Sequence, residues 1–374
     1  MGDVELRAVT KSFPDGKGSV TQVLHGVDIR ARSGEFVVLL GPSGCGKSTS
    51  LRILAGLERA TSGEVLIDGK DVGDVPASRR GIAMVFQNYA LYPHLTVMEN
   101  IIFGLRVRRV PKAERRRLGE EAAEKVGLLP YLDRRPSQLS GGQRQRAALA
   151  RALVSDAKVV LMDEPLSNLD AKLRHQMRVE LRRLQRQLAL TVIYVTHDQV
   201  EAMTMADHVV VMREGRIAQA AAPVDLYVDP ADTGVAAFVG SPPMNLLPGR
   251  LQGGSLDLFG RVCPLGLADL DTEGDVVVGV RPETLTIGDE GPIVLAGTVR
   301  TSEILGAETL LTVEVSDQDV VARLPGVVRV PDGEEISLSA GVPALRLFDG
   351  DSGQALAATR SESLAPALND STTT

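Results

Sequence analysis

Apolar residues in the first 230 or so positions gather into short uninterrupted runs, and each run ends on small or polar residues. Phe36-Val37-Val38-Leu39-Leu40 leads straight into a glycine-rich segment. Ile82 to Phe86 ends at Gln87, Val159 to Met162 ends at Asp163-Glu164, and Thr191 to Val195 ends at Thr196-His197-Asp198. Runs of this length without polar alternation suit strands covered on both faces, as in a parallel sheet. Helical periodicity fills the gaps. Leu173, Met177, Leu181, Leu184 and Leu188 recur every three or four residues as one apolar stripe,. Ser48 to Ala55, Lys112 to Val126 and Arg144 to Val154 also read as helices. The pattern predicts an α/β domain whose parallel strands carry polar groups at their C-terminal ends, the usual place for a ligand in such sheets.

Past residue 235 the texture changes. Long helical periods stop, and short strands are predicted at Val276 to Val280, Leu310 to Val315 and Leu345 to Phe348, with turns such as Pro331-Asp332-Gly333 between them,. A small all-β domain over 236–350, of barrel type, is the natural reading. The segment from Asp351 to Thr374 is rich in Ser, Thr and Ala, and disorder is expected there,.

Composition narrows the class only a little. With 44% hydrophobic and 24% charged residues the 374-residue chain is an ordinary globular protein,. It has no Trp, so aliphatic side chains must build the core. A net charge of -7 argues against a general nucleic-acid binder,. The two cysteines, Cys45 and Cys263, are far apart, which fits a reducing cytosolic setting rather than a disulfide framework,. Met1-Gly2-Asp3-Val4-Glu5 lacks the basic start of a signal peptide, and no run nears the roughly 20 apolar residues of a membrane span,. The basic run Arg106 to Arg117 is interleaved with or followed by Glu114, Glu120, Glu121 and Glu124, which predicts a solvated helix face with i, i+4 pairs,.

The chemistry is concentrated at the strand ends. Gly41-Pro42-Ser43-Gly44-Cys45-Gly46-Lys47-Ser48, followed by Thr49, fits G-x-x-x-x-G-K-[ST] between a strand and a helix. Glycines there let backbone N–H groups wrap phosphates, Lys47 would reach the β- and γ-phosphates, and Ser48 would ligate Mg²⁺. Asp163-Glu164 supplies one carboxylate for the metal and one for an attacking water. Leu139-Ser140-Gly141-Gly142-Gln143 precedes a helix, so Ser140 and the glycine amides form an anion site, or simply a cap,. His197, ending a strand, is placed for a ligand, whereas His25, His94, His175 and His208 are read as structural. Cys45 is either a small core filler or a thiol activated by the loop, in which case alkylation would inactivate the protein and ATP would protect it.

Taken in order, the phosphate loop, Gln87, Leu139 to Gln143, Val159 to Pro165, Ser167-Asn168-Leu169-Asp170 and His197 resemble the ABC ATPase family, and the resemblance spans residues 3 to 350. It implies a P-loop ABC ATPase domain with a helical subdomain over 1–235, then an OB-type barrel with a regulatory role. It also implies that ATP is bound by residues 41–49 and Gln87, with Phe13 stacked on adenine. By the same resemblance Glu164 polarises water, His197 contacts the γ-phosphate, and Lys47 and Gln87 assist, while Ser48, Gln87 and Asp163 serve Mg²⁺. Ser140 and Gly142 would complete the site of a second copy in a head-to-tail dimer, with Asp170 at the seam. Gln87 would also sense the membrane subunit.

Ala83 to His94, Thr196 to Thr204, Gly240-Ser241-Pro242-Pro243-Met244-Asn245 and Gly279 to Glu283 resemble the carbohydrate-importer ATPases of the maltose type, and those for glycerol-3-phosphate equally. That likeness implies two copies docked on two membrane permease subunits at the cytoplasmic face. A solute-binding protein would act only indirectly, and no nucleic acid is expected. Tyr89, Leu91, Tyr92 and Pro93 would line the docking groove, unless they are core. Importers of anions, metals or polyamines, and a nucleic-acid-linked ABC ATPase, are the competing readings.

Overall fold

The computed structural model describes residues 2–14, 19–155, 157–265 and 273–356. The chain divides into two units, Met1–Val224 and Asp225–Thr374. In the first, β1 (Val4–Pro14) and β2 (Val20–Ala31) form an antiparallel pair. β3 (Phe36–Leu40), buried at every residue, then feeds the glycine-rich loop and α1 (Lys47–Ala55). β4 (Ser62–Ile67) and β5 (Lys70–Asp71) join β1 to give the antiparallel order β2-β1-β4-β5. β6 (Ile82–Val85) opens a helical stretch of α2 (Val97–Ile101), α3 (Phe103–Val107), α4 (Lys112–Lys125) and α5 (Gly141–Leu153). β7 (Val159–Asp163), α6 (Ala171–Leu188), β8 (Thr191–Thr196), α7 (Gln199–Met205), β9 (His208–Arg213) and β10 (Arg216–Ala221) complete the unit.

The central sheet has the order β10-β9-β3-β8-β7-β6. Every neighbouring pair from β9 to β6 is parallel, and only β10 runs against its neighbour. The predicted strands and their register therefore place Leu40 beside Thr196 and Asp163 beside Val195. Met177, Leu181 and Leu184 of α6 are buried, while Leu173 and Leu188 at its ends are half-buried. On α4 the expected i, i+4 pairs form between Arg116 and Glu120 (2.8 Å) and between Arg117 and Glu121 (2.5 Å).

The antiparallel sheet escapes the sequence reading. Its first strand carries register shifts between Leu6 and Thr10, and Ala8 is left-handed (φ 45°), so the period-two alternation breaks where it would be looked for,. Buried Arg80 is equally unannounced. Its Nη1 donates to the carbonyls of Ile53 (2.7 Å) and Leu54 (2.8 Å), satisfying the end of α1 with a cation where the helix dipole favours one,. Among the described residues no helix is long and apolar enough to cross a membrane.

Behind β8 lies a buried polar cluster. Tyr194 and Thr196 both donate hydroxyl hydrogen bonds to Glu201 Oε2, at 2.8 and 2.7 Å. Burial raises the Glu201 carboxyl above the ordinary glutamate range, against the pull of those two hydroxyls,.

The boundary falls within α8 (Pro223–Val228), and α9 (Thr233–Phe238) follows in the second unit. That unit continues through β11 (Asn245–Gln252), β12 (Ser255–Leu258), β13 (Arg261–Pro264), β14 (Gly274–Val280) and β15 (Thr286–Ile287). β16 (Ile293–Ile304), β17 (Glu308–Val315), β18 (Gln318–Pro325), β19 (Glu335–Ala340) and β20 (Leu345–Asp349) follow. Two five-stranded antiparallel sheets result, β13-β12-β11-β14-β20 and β15-β19-β16-β17-β18. They share one aliphatic core that includes Leu247, Val278, Leu295, Val313, Leu338 and Leu347. Buried Asn245 stitches the sheets together: its amide donates to the carbonyls of Val280 (3.1 Å) and Val321 (2.9 Å) and accepts from Val321 N–H (2.8 Å). Arg281 donates to the carbonyls of Tyr227 (2.6 Å) and Val239 and lies over the Tyr227 ring. The chain stays hydrogen-bonded through Leu356, which donates to Leu347 O at 2.8 Å. The rest of the expected tail, 357–374, lies outside the described residues.

Two stability measurements follow. Asn245→Ala strands a buried N–H and two carbonyls, so urea unfolding of the full chain should show a loss of about 2–3 kcal/mol; an unchanged midpoint would deny the stitch. For Glu201, a raised folded-state pKa means stability is complete below the ordinary glutamate value of 4.5 and is lost as pH rises through the raised one,. Glu201→Gln has no charge to bury. Its Tm relative to the parent should therefore climb between pH 4.5 and neutrality, and a pH-independent difference would contradict this.

Candidate functional site

The loop after β3 is built by close approach. Gly46 is left-handed (φ 102°), and a Cβ there would stand 2.5 Å from Leu24 Cδ2. Pro42, Ser43 and Gly44 form the exposed tip, while Gly41, Cys45, Gly46 and Lys47 are buried beneath it. Lys47 Nζ donates to the carbonyls of Gly41 (2.7 Å) and Pro42 (2.8 Å), which turns the ammonium back over its own loop. Cys45 is 3% exposed and packs in the aliphatic core with Val37, Leu39 and Met212. That burial supports the filler reading of Cys45 and leaves no accessible thiol for alkylation.

The strand ends bring the acidic and basic groups to this loop. Ser48 Oγ, exposed at the start of α1, donates to Asp163 Oδ1 at 2.9 Å. Burial raises the Asp163 carboxyl above its ordinary range; the Ser48 hydrogen bond opposes this and the adjacent Glu164 adds to it,. Glu164 sits one residue beyond β7 with left-handed backbone (φ 43°). Such a conformation costs about 1–3 kcal/mol in a residue with a Cβ, and it is held by Glu164 N–H to Val195 O (3.1 Å) and Ser167 Oγ–H to Glu164 O (2.9 Å),. Its carboxylate Oε1 then lies 3.3 Å from His197 Nδ1, at the end of β8.

Glu164 and His197 line a cavity of 80 Å³ with Ser167, Arg174, Thr196, Asp198 and Glu201. Asp198 caps α7 through the N–H groups of Val200 (2.8 Å) and Glu201 (3.2 Å) and pairs with Arg174 at 3.4 Å. Gln87 is attached from the other side: its amide donates to Ser167 Oγ (3.3 Å), and Asn168 donates to Gln87 O (3.1 Å). Ser167 and Arg174 thus help organise the site; Ser167 enters the sequence reading only as part of the 167–170 segment, and Arg174 not at all. Arg174 in particular is hidden among the many arginines of α6.

The Ser140 segment is a cap, but the helix it caps starts earlier than the expected Arg144. α5 begins at Gly141, so both glycines lie in its first turn. Ser140 Oγ accepts from Gln143 N–H (3.3 Å) while Gln143 Oε1 accepts from Ser140 N–H (2.9 Å), a reciprocal capping box,. The glycines have a reason within this chain: a Cβ on Gly141 would meet Leu169 Cδ2 at 2.7 Å, and one on Gly142 would meet Leu173 at 3.1 Å. Ser140 itself is exposed, and Leu139 is buried. Asp170, also exposed, caps α6 by accepting from Leu173 N–H at 2.9 Å. Phe13 lies on β1 opposite Thr21, with the Lys11 ammonium 4.6 Å from the centre of its ring. Of the expected groove residues, Tyr92 and Pro93 are exposed and Leu91 is half-buried, but Tyr89 is buried (6% exposed). The side chain of Tyr89 therefore belongs to the core.

The chain matches family models described as ABC transporter over 24–167, MalK OB fold domain over 240–285 and TOBE domain over 278–348. It is 48% identical to the sn-glycerol-3-phosphate import ATP-binding protein UgpC of Ruegeria sp. (strain TM1040), over 96% of this chain and 100% of that protein. It is likewise 48% identical to the alpha-glucoside transport ATP-binding protein AglK of Rhizobium meliloti (strain 1021), over 92% of this chain and 96% of that protein. Among solved structures it resembles one described as the dimeric structure of a post-hydrolysis state of the ATP-binding cassette MJ0796 bound to ADP and Pi. The TM-score is 0.52 at 33% identity, over 59% of this chain and 98% of that one. A phosphate loop joined through Ser48 to Asp163, a Glu164–His197 pair at adjoining strand ends and relatives alike over nearly the whole length lead to one family: the chain is an ABC transporter ATP-binding protein, an ATPase coupled to transport.

Proposed function

We propose that two copies of this chain bind two ATP molecules head to tail and energise import of a sugar, polyol or glycerol-3-phosphate-like solute through two membrane permease subunits. The observation that carries the enzymatic half is the Glu164–His197 contact beside the Ser48–Asp163 pair, all at the C-terminal ends of parallel strands. The transport half is supported by relatives named as ATP-binding proteins of sn-glycerol-3-phosphate import and of alpha-glucoside transport. Peripheral attachment at the cytoplasmic face follows from that reading.

In this account the Gly41–Ser48 backbone and the N-terminus of α1 receive the phosphates, and Lys47 exchanges its loop carbonyls for phosphate oxygens,. Phe13 offers adenine the ring face not taken by Lys11,. Ser48 and Asp163 present adjacent hard oxygens, the donor set that suits Mg²⁺, and Gln87 lies within the same group of loops,. Bound there, the ion would neutralise charge on the phosphates. Glu164 orients and deprotonates the attacking water, and His197 fixes the Glu164 carboxylate and reaches toward the γ-phosphate,. Most of the rate then comes from positioning and electrostatics rather than covalent chemistry. Ser140 and Gly142 act on the nucleotide of the other copy: the capping box keeps the α5 N-terminus ordered and exposed, which is what an anion supplied from outside requires,. Asp170, exposed at the start of α6, lies at the seam between the copies. The second unit serves contact between copies and regulation.

Glu164→Gln should bind ATP with a Kd within a few-fold of the parent while phosphate release falls about 10²–10³-fold. Undiminished turnover would remove Glu164 from its role. For the solute, a strain lacking the chain should lose uptake of one labelled carbohydrate, polyol or glycerol-3-phosphate and regain it on complementation. Loss of polyamine, metal or inorganic anion uptake instead would overturn the solute class.

A further inference from the structure

Arg151 lies two residues before the end of the cassette helix that begins at Gly141, and its guanidinium leaves that helix to grip another segment. Nη1 donates to the carbonyl of Ala90 at 2.5 Å and Nη2 to that of Tyr89 at 2.8 Å. Both acceptors are left-handed, with φ of 47° for Ala90 and 61° for Tyr89. Neither is a glycine or asparagine, the residues that tolerate this region, so the chain pays here twice in succession. The result is two consecutive carbonyls presented to one planar fork, a geometry that Lys cannot match. Tyr89 adds a third cost, because its buried hydroxyl has no partner among the described residues,. A segment carrying this much unfavourable local structure persists only when something outside it over-determines it, and Arg151 is the group in place to do so.

The position of the grip matters. Just before it, Gln87 is tied to Ser167 and Asn168, the loop that carries Glu164. Just after it come Tyr92 and Pro93, both exposed. At the far end of α5 stands the exposed Ser140 cap, about 16 Å away along a helix of 1.5 Å rise per residue,. One helix therefore joins the residue proposed to meet ATP on a second copy to the surface proposed to meet the membrane subunit.

We propose that Arg151 is a positioning residue that makes α5 and the Gln87–Pro93 segment move as one body, passing engagement of Ser140 to the membrane-facing surface. This deepens the reading under Proposed function and rests on it. Arg151 touches neither the phosphate loop nor Glu164, so its loss should spare nucleotide binding.

The test uses the full chain with a nitroxide on Asn88→Cys; Cys45 and Cys263 are both buried and do not compete for the label. Arg151→Met should shorten the rotational correlation time of the label about threefold, a change on the nanosecond scale that such spectra resolve, with Arg151→Lys in between. ATP affinity should stay within about twofold of the parent, since no phosphate-binding group is altered. In a Glu164→Gln background ATP should slow the label in the parent but not with Arg151→Met. A label equally immobile in parent and Arg151→Met, with the far-ultraviolet dichroism unchanged, overturns the proposal. Should Arg151→Met fail to fold, Arg151→Gln, whose amide reaches one carbonyl at most, takes its place with the same two outcomes. If the parent binds no ATP, the functional reading fails, while the label comparison without nucleotide still decides whether Arg151 holds the segment.

Discussion

Parallel pairing of β3, β8 and β7 is the constraint from which the rest of this molecule follows. Because the three strands run the same way and in level register, the residues that follow them emerge at one edge of one sheet. Glu164 and His197 lie more than a hundred residues after the phosphate loop, yet each of the three is simply the next thing after a strand ends. Apart from Tyr194 and the terminal Asp163 and Thr196, the strands contribute little polar chemistry. Their work is to be buried and rigid, so that short polar excursions at their ends have fixed positions.

The excursions carry the costs. Glu164 is left-handed, Asp163 is pushed toward its protonated form by burial and by its neighbour, and Lys47 is buried against its own loop. Each is compensated locally, by Ser167 and Val195 for Glu164, by Ser48 for Asp163 and by the Gly41 and Pro42 carbonyls for Lys47. Phosphate oxygens would give the folded-back Lys47 ammonium a charged partner, and a cation such as Mg²⁺ would offset the burial and repulsion of the Asp163 carboxylate,. The same logic runs through the surrounding elements, where Arg174, Asp198 and Glu201 brace the strand end that bears His197.

Much of this was legible in the sequence, and for a physical reason. Strands covered on both faces must be continuously apolar, so Phe36–Leu40, Val159–Met162 and Thr191–Val195 declare themselves, and the polar residues at their ends are conspicuous by contrast. What stayed hidden depends on tertiary partners. Bulges in β1 erase its alternation. Arg80 and Arg174 look like any solvated arginine until the carbonyls and carboxylates they serve are in place. The glycines of the Ser140 segment read as a ligand feature, whereas the packing of Leu169 and Leu173 already demands them. Tyr89 and Tyr92 are alike in sequence context but part ways, one into the core and one to the surface, with two consecutive left-handed residues, Tyr89 and Ala90, at the point where they diverge.

The central claim is that one copy's phosphate loop is completed by another copy's Ser140, and mixing two crippled variants tests it most directly. Lys47→Ala removes the phosphate-binding cation, and Ser140→Arg blocks the segment offered to the partner. Each alone should be nearly inactive. Combined in equal amounts, about half of the dimers should pair unlike chains, each with one intact composite site, and phosphate release should recover to about a quarter of the parent rate. A mixture no more active than the average of its two components, or a Ser140→Arg chain active by itself, would contradict the account.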